Sequence, residues 1–328
     1  MRAVIYEKYG APEVLQLKTV EAPTPQAGEV LIKIQATAVS SEDCTFRKGS
    51  PFIARSATGF NKPKHPILGT EFSGEVESVG EGVTKFKPGD NVFGATGDSF
   101  GAYAEYIALP EDGSLAPKPA SLSYEEAVAV CGGFLTALPF LRDAGKLQSD
   151  QAILINGASG SVGAAAIQLG KHFGAEVTGV CSTANVELVK SLGADHVVDY
   201  KTEDFTQGNA RYDIVFDAVG KSSFSLAKKV LKEHGFYLRT VLDLPIVLQM
   251  MWTSAFGRKK AKIIFSGLRP ASEKAKDLGF LTTLVEADDY QPVIDRCYPL
   301  DQIVEAHRYV EKGHKTGSVI ITVANNIS

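Results

Sequence analysis

Residues 153–163 read ILINGASGSVG. An apolar run ends in a small polar residue, and glycines follow at Gly157, Gly160 and Gly163, with alanines and an apolar spacing after them. The pattern predicts a strand, a tight turn and the N-terminus of a helix packed closely on a sheet. Each glycine meets a separate need: Gly157 permits the turn, Gly160 lets a ligand approach the backbone, and Gly163 lets the helix sit near the strand. The spacing is also read as Ala158-x-Gly160-x-x-Gly163, an alanine-first variant of the dinucleotide fingerprint. Such a corner presents backbone N–H groups to a pyrophosphate. The competing reading is an ordinary tight corner of an α/β domain.

Outward from this corner, strand and helix patterns alternate. Strands are expected at 153–155, 177–180, 196–198, 212–216 and 235–239, and helices at 161–172, 185–191 and 225–230. That rhythm implies a parallel sheet. Upstream, 124–141 reads as a helix capped by Ser123 and Glu126. Residues 1–120 hold short strand patterns at 3–6, 30–38, 75–79, 91–93 and 102–108 between Gly/Pro turns, as in a small, partly closed barrel. A helical stretch near 302–311 precedes a last strand at 318–323, which is expected to rejoin the first domain. The domains are therefore expected at 1–122 with 290–328, and at 123–289.

The bulk properties narrow the function. A chain of 328 residues with 44% hydrophobic content supports about two cored domains. A net charge of -4, spread in both signs, gives no electrostatic nucleic-acid surface. Cys44, Cys131, Cys181 and Cys297 form no CxxC, which fits free thiols in a reduced compartment, and a cytoplasmic location is expected. The opening MRAVIYEKYG has no apolar h-region, so no secretory signal is expected. No apolar run reaches the length of a membrane span. The dense apolar patch 238–256 reads as a strand, a loop and a pocket-lining helix, and the basic run Arg258, Lys259, Lys260 and Lys262 as a solvated helix face.

The second strand of the alternating region bears on cofactor choice. It leads into Cys181, Ser182, Thr183, Ala184 and Asn185, with no acid before Glu187. A carboxylate at that edge would repel a 2′-phosphate, whereas hydroxyls and an amide donate to it. NADPH is therefore expected over NADH, with Lys190, Lys201 or another distant base supplying charge; in the competing reading Ser182 or Thr183 merely caps a helix. Asp217 closes the run 214–216 ahead of Val219 and either touches a cofactor ribose or braces a turn.

With these residues in hand, the chain resembles the medium-chain dehydrogenase/reductase superfamily. The resemblance runs through His65-Pro66-x-x-Gly69-x-Glu71-x-x-Gly74-x-Val76, Pro88-Gly89-Asp90-x-Val92, the 157–163 corner and Gly193-Ala194-Asp195. It implies an α/β fold: a GroES-like, partly open β-barrel catalytic domain plus a Rossmann domain with a doubly wound parallel sheet. An active site in the cleft between them and a homodimer are also implied. In the zinc enzymes of this superfamily three side chains hold a catalytic metal. Their positions fall here on Ser40, Thr70 and near Gly132, one residue from Cys131, which are poor zinc ligands. No metal site is expected. The chain is closer to the zinc-free quinone oxidoreductase branch, whose active-site strand and loop the stretch 38–49, AVSSEDCTFRKG, resembles.

The resemblance implies a cofactor set of Thr136, Gly157, Ala158, Ser159, Gly160, Ser161, Val162, Gly163, Ser182, Thr183, Asn185, Tyr200, Asp217, Val219 and Lys315. Ser40, Ser41 and Asp43 are candidate catalytic residues that orient nicotinamide or substrate, or else cap a loop. Arg47 either orients a substrate oxygen or pairs with Glu42 or Asp43. Phe46, Phe93, Leu242 and Trp252 form a candidate apolar wall for a flat ring, or are simple core. Tyr103 and Tyr200 are candidates for a proton donor or a cofactor contact. The expected function is NADPH-dependent, zinc-independent hydride transfer to a quinone. The alternatives are an enone or alkenal double-bond reductase, and an NADPH-binding regulatory or RNA-interacting protein with little turnover.

Overall fold

The computed structural model describes Met1–Val323, so the last five residues of the expected 290–328 segment lie outside the described residues. Spatial contacts divide the chain into a first unit, Met1–Gly132 with Gly267–Ser328, and a second, Gly133–Ser266. The first unit begins with β1 (Arg2–Ile5), β2 (Gln16–Thr19), β3 (Glu29–Val39), α1 (Ser41–Lys48) and α2 (Arg55–Thr58). It continues through β4 (Glu71–Val79), β5 (Asn91–Ala95), β6 (Tyr106–Pro110), β7 (Ser114–Pro117) and the start of α3 (Tyr124–Leu138). The second unit holds β8 (Ala152–Asn156), α4 (Ser161–His172), β9 (Glu176–Cys181), α5 (Val186–Ser191), β10 (His196–Asp199) and β11 (Tyr212–Asp217). It closes with α6 (Phe224–Val230), β12 (Leu231–Arg239), α7 (Leu244–Phe256) and β13 (Lys260–Lys262). The chain then returns to the first unit as α8 (Ala271–Glu286), β14 (Ile294–Pro299), α9 (Ile303–Glu311) and β15 (Ser318–Thr322).

In the second unit the strands run in the order β10-β9-β8-β11-β12-β13, every pair parallel. This is a doubly wound sheet whose order reverses between β8 and β11, the place where such sheets bind ligands at their C-terminal edge. Central strands buried on both faces need continuous apolar runs, and Ile153, Leu154, Ile155, Val215 and Phe216 are fully buried.

In the first unit β15 pairs antiparallel with β3, Ile320 opposite Ala38, so the end of the described chain rejoins the sheet of its beginning. β6 pairs β3. The strand expected at 102–108 starts later, at Tyr106, because Ala102 and Tyr103 donate instead to the carbonyls of Gly69 and Leu68. α8, which the sequence reading passed over, packs beside β7 and buries Leu278, Leu281, Leu284 and Val285. It therefore groups with the first unit although it precedes residue 290.

Tyr124–Ala144 is helical throughout and, by length and composition, apolar enough to cross a membrane; most of it is buried in protein, as in a core helix. The helix expected at the end of the apolar patch 238–256 is α7, whose side chains Leu244, Leu248, Met251, Trp252 and Phe256 are exposed. One further expectation is corrected. The basic run is no helix face: Lys260–Lys262 form an edge strand, and the Lys259, Lys260 and Lys262 ammoniums donate to backbone carbonyls.

Candidate active site

The 157–163 corner lies in the second unit where β8 turns into α4. Gly157 adopts φ 86°, the left-handed region that favours glycine, and a Cβ there would lie 2.4 Å from Val219 Cγ1. A Cβ on Gly163 would lie 2.1 Å from the Gly157 carbonyl oxygen, so the absence of a side chain sets the approach of α4 to the turn. Gly160 differs from both. It is the N-cap of α4 with an ordinary φ of -77° and ψ of 167°, and a Cβ would come no nearer than 3.6 Å to the atoms around it. Neither backbone conformation nor protein packing demands a glycine there; the open space lies at the end of a helix whose N-terminal donors meet no capping side chain. The cradle fits a pyrophosphate.

The neighbouring groups are braced. Asn185 Nδ2 donates to Ser159 Oγ at 2.9 Å, tying the loop after β9 to the glycine turn. Ala158 is buried, Val162 half-buried, and Ser161 starts α4. Thr136 lies half-buried on α3. Asp217 is fully buried; its carboxylate accepts from Asn156 Nδ2 at 2.9 Å, Tyr237 Oη at 3.0 Å and the Ser222 N–H at 2.9 Å. It therefore braces the loop that carries Val219. Ser182 is half-buried and offers no capping bond, and Tyr200, 53% exposed, stands one residue past β10.

One acid at this rim was missed. Asp199, the last residue of β10, sits beside Cys181 in the sheet register, and Thr183 Oγ1 donates to its Oδ2 at 2.5 Å. That hydrogen bond leads the influences holding its carboxyl below the usual range. A search confined to the strand that carries Ser182 cannot find it, because the adjacent parallel strand delivers it. Lys190 pairs with Glu187, and Lys315 is half-buried in the first unit, its ammonium donating to the Gly317 carbonyl.

In the first unit the stretch resembling an active-site loop is a helix. Ser40 caps α1 in a reciprocal box: Asp43 N–H donates to Ser40 Oγ at 3.0 Å, and Ser40 N–H to Asp43 Oδ2 at 2.9 Å. Ser40 Oγ also donates to that carboxylate at 2.6 Å. Burial pushes Asp43 up to about 6 against the pull of these bonds. Ser40→Ala is expected to destabilise the first unit by about 1 kcal/mol, read as a lower chemical-denaturation midpoint, while Ser40→Asn keeps the cap. Ser41 is exposed on the first turn. Arg47 is fully buried and pairs with Glu311 of α9, not with Glu42 or Asp43.

The four candidate wall residues are divided between the units, Phe46 and Phe93 in the first and Leu242 and Trp252 in the second. Phe93 and Tyr103 are fully buried, Phe46 packs edge-on against Phe100 at 5.1 Å, Leu242 borders the core of the second unit and Trp252 is exposed on α7. Gly132 sits against Glu71, whose Oε1 would lie 1.8 Å from a Cβ there, so Glu71 fills the space of a side chain at that position. Burial, with the charge of Asp43, pushes Glu71 up to about 8. The sequence also gave no sign that Cys44 meets the buried His307, Sγ to Nδ1 at 3.3 Å. Among the described residues no three His, Cys, Asp or Glu side chains are grouped to hold a metal.

Residues 26–120 match the alcohol dehydrogenase GroES-like domain, and residues 192–321 match a domain described as zinc-binding dehydrogenase. The chain is 33% identical to the chloroplast envelope quinone oxidoreductase homolog of Arabidopsis thaliana, over 98% of both chains. It is 35% identical to the 2-methylene-furan-3-one reductase of Solanum lycopersicum, covering 98% of this chain and 79% of that protein. The solved structure of the quinone oxidoreductase from Coxiella burnetii superimposes with a TM-score of 0.87 at 29% identity, over 99% of each chain. The relatives also overturn the cytoplasmic expectation, because most of them carry chloroplast or mitochondrial designations. Thiols left free do not single out one reducing compartment.

Proposed function

The chain belongs to the medium-chain dehydrogenase/reductase superfamily, as a zinc-independent member related to the quinone oxidoreductases, and on that premise we propose that it reduces quinones with NADPH. It is an NAD(P)H-dependent oxidoreductase of the quinone-oxidoreductase and enoyl-reductase branch. The observation that carries the cofactor reading is Gly160, a glycine required by neither fold nor conformation at an uncapped helix N-terminus. When bound, the dinucleotide supplies the hydride.

The protein's own groups then hold the reactants. The 157–163 backbone seats the phosphates, Asn185 and Ser159 hold the rim, and Asp217 keeps the Val219 loop in place. To Ser41, exposed beside the Ser40–Asp43 cap, we assign the orienting of an acceptor oxygen. With Ser40, Thr70 and Gly132 at the ligand positions, no strong Lewis acid polarises a simple carbonyl. A quinone or enone needs less help, since conjugation carries charge from the attacked carbon to a distant oxygen that a hydrogen bond stabilises.

NADPH is favoured by the acid-free run Ser182 to Asn185 and by a relative named an NADPH-dependent alkenal/one oxidoreductase. Asp199 limits that preference by placing a carboxylate beside Thr183. We expect NADPH to bind about tenfold more tightly than NADH, a difference of about 1.4 kcal/mol, in fluorescence titration of the purified protein. Equal affinities, or tighter NADH binding, would remove the preference.

Incubation with NADPH and a panel of 1,2-quinones, 1,4-quinones and enones separates the readings. Quinol formation is expected. Enone saturation without quinone reduction would select the second reading, which the name of the 2-methylene-furan-3-one reductase favours. Tight NADPH binding with no turnover on any acceptor would identify a regulatory protein.

A further inference from the structure

Residues 50–64 form a loop on the first unit with apolar side chains at its surface. Phe52, Ile53 and Phe60 are 65%, 61% and 57% exposed, and the two rings lie 6.0 Å apart. A single apolar residue in water is ordinary, but three gathered on one loop form a patch. The loop cannot fold them inward, because its backbone is braced. Arg55 closes it, Nε donating to the Gly49 carbonyl at 3.0 Å and Nη1 to the Phe60 carbonyl at 3.2 Å. The same guanidinium lies over the Tyr9 ring at 4.6 Å and the Phe52 ring at 5.4 Å. Tyr9 Oη donates to the Gly59 carbonyl, and the Lys64 N–H to the Thr58 carbonyl at 2.7 Å.

The charge around the patch has one sign. From 44 to 70 there is no Asp or Glu, while Arg47, Lys48, Arg55, Lys62 and Lys64 fall in that span of a chain whose net charge is -4. Glu311 answers Arg47 and Lys48. Arg55, Lys62 and Lys64 have no acidic partner among the described residues, and both lysines are exposed. A Cβ on Gly59 would lie 2.3 Å from the Lys62 carbonyl oxygen and 3.1 Å from Lys64 Cγ, so the two lysines stand beside Phe60.

We propose that this loop docks on the surface of a bilayer containing anionic phospholipid. Phe52, Ile53 and Phe60 enter the boundary of the acyl chains, and Arg55, Lys62 and Lys64 face the headgroup phosphates. Two observations select lipid over a protein partner. The first is the pairing of apolar side chains with uncompensated cations, which suits a surface that is negative outside and apolar beneath. The second is area. At roughly 200 Å² for each aromatic side chain, Phe52 and Phe60 together leave about 240 Å² to water. A standard protein interface takes roughly 800 Å² from each partner, whereas a bilayer needs no matched surface. α7 also exposes apolar side chains, but with no charged residue it offers anionic headgroups no attraction.

Docking does not depend on the proposed reaction, and its test uses no substrate. The full chain is sedimented with vesicles of phosphatidylglycerol and phosphatidylcholine, and with phosphatidylcholine alone. Partitioning should be at least tenfold stronger on the anionic vesicles, and should fall at least tenfold as salt rises from about 0.05 M to about 0.5 M. Ile53→Ser with Phe60→Ser, which spares the contact of Phe52 with Arg55, should weaken partitioning at least tenfold with an unchanged circular-dichroism melt. Lys62→Gln with Lys64→Gln should weaken it as much, on the anionic vesicles only. Trp252, the chain's only tryptophan, lies on α7 in the second unit, so Phe60→Trp in a Trp252→Phe background reports the loop alone. Its emission should shift to the blue on anionic vesicles. If the double-Ser variant melts early, the lysine variant and the tryptophan shift decide. The proposal is overturned by a chain that stays in the supernatant with both vesicles, which would leave the patch to a protein partner. It is equally overturned by partitioning indifferent to lipid charge or salt, by folded variants that partition like the wild type, or by a blue shift of Trp252 in place of one at position 60.

Discussion

Gly160→Asp is expected to leave the protein folded and to weaken NADPH binding at least a hundredfold, about 2.8 kcal/mol. The backbone at Gly160 already sits where any residue sits, and a Cβ would find its nearest neighbour at 3.6 Å. Aspartate is a strong N-cap, so the first turn of α4 gains a partner for an orphan N–H, and the melting temperature should hold or rise slightly. The same carboxylate takes the place of the pyrophosphate and repels it. Gly160→Ser, a cap without charge, should fall between wild type and Gly160→Asp. Gly163→Ala is the contrasting control. Its Cβ would meet the Gly157 carbonyl oxygen at 2.1 Å, so it should lower stability, and weak binding by that variant would say little about the ligand. Calorimetric titration with NADPH decides the matter: wild-type affinity in folded Gly160→Asp would mean that the phosphates bind elsewhere.

The second large effect is on stability. Glu311→Ala is expected to cost about 3 kcal/mol, because it strands the guanidinium of Arg47 where water cannot reach it. Arg47 is fully buried, donates to the Gly10 carbonyl at 3.1 Å, and has its charge balanced by Glu311, which is only 19% exposed. The accompanying Lys48 contact to Glu311, on a side chain 46% exposed, contributes little. At roughly 2–4 °C per kcal/mol for a unit of this size, the melting temperature should fall by about 6–12 °C. Replacing both partners, Arg47→Met with Glu311→Leu, should recover most of the loss, since no charge is then left buried alone. A shift under about 2 °C for Glu311→Ala would show that solvent reaches Arg47.

The Arg47 pair illustrates where sequence reading stops. Its partner is 264 residues away, and charge spacing favours the neighbours Glu42 and Asp43 over anything so distant. Asp199 teaches the same lesson beside Thr183, where the acid arrives on the adjacent strand. The helix α1 was legible in principle. Ser40 and Asp43 stand at capping-box spacing, and Gly49, at φ 58°, supplies the left-handed residue that closes a helix. α8 was legible too: its buried leucines recur at helical spacing after Pro270.

What the sequence determined by itself is local and periodic. The glycine corner and the alternation of strand and helix around it follow from neighbours a few residues apart, whereas the poor metal ligands at 40, 70 and near 132 are what the family resemblance implies. Backbone conformation, hydrogen-bond reach and side-chain chemistry act over that distance. Only the tertiary structure decided that Asp217 braces a loop, that Arg47 answers to Glu311, that Asp199 reaches Thr183, and that α7 turns its apolar side outward. Those outcomes depend on which strands lie side by side and which helix face the sheet covers. Burial and pairing are properties of the assembled chain, and no short stretch of residues contains them.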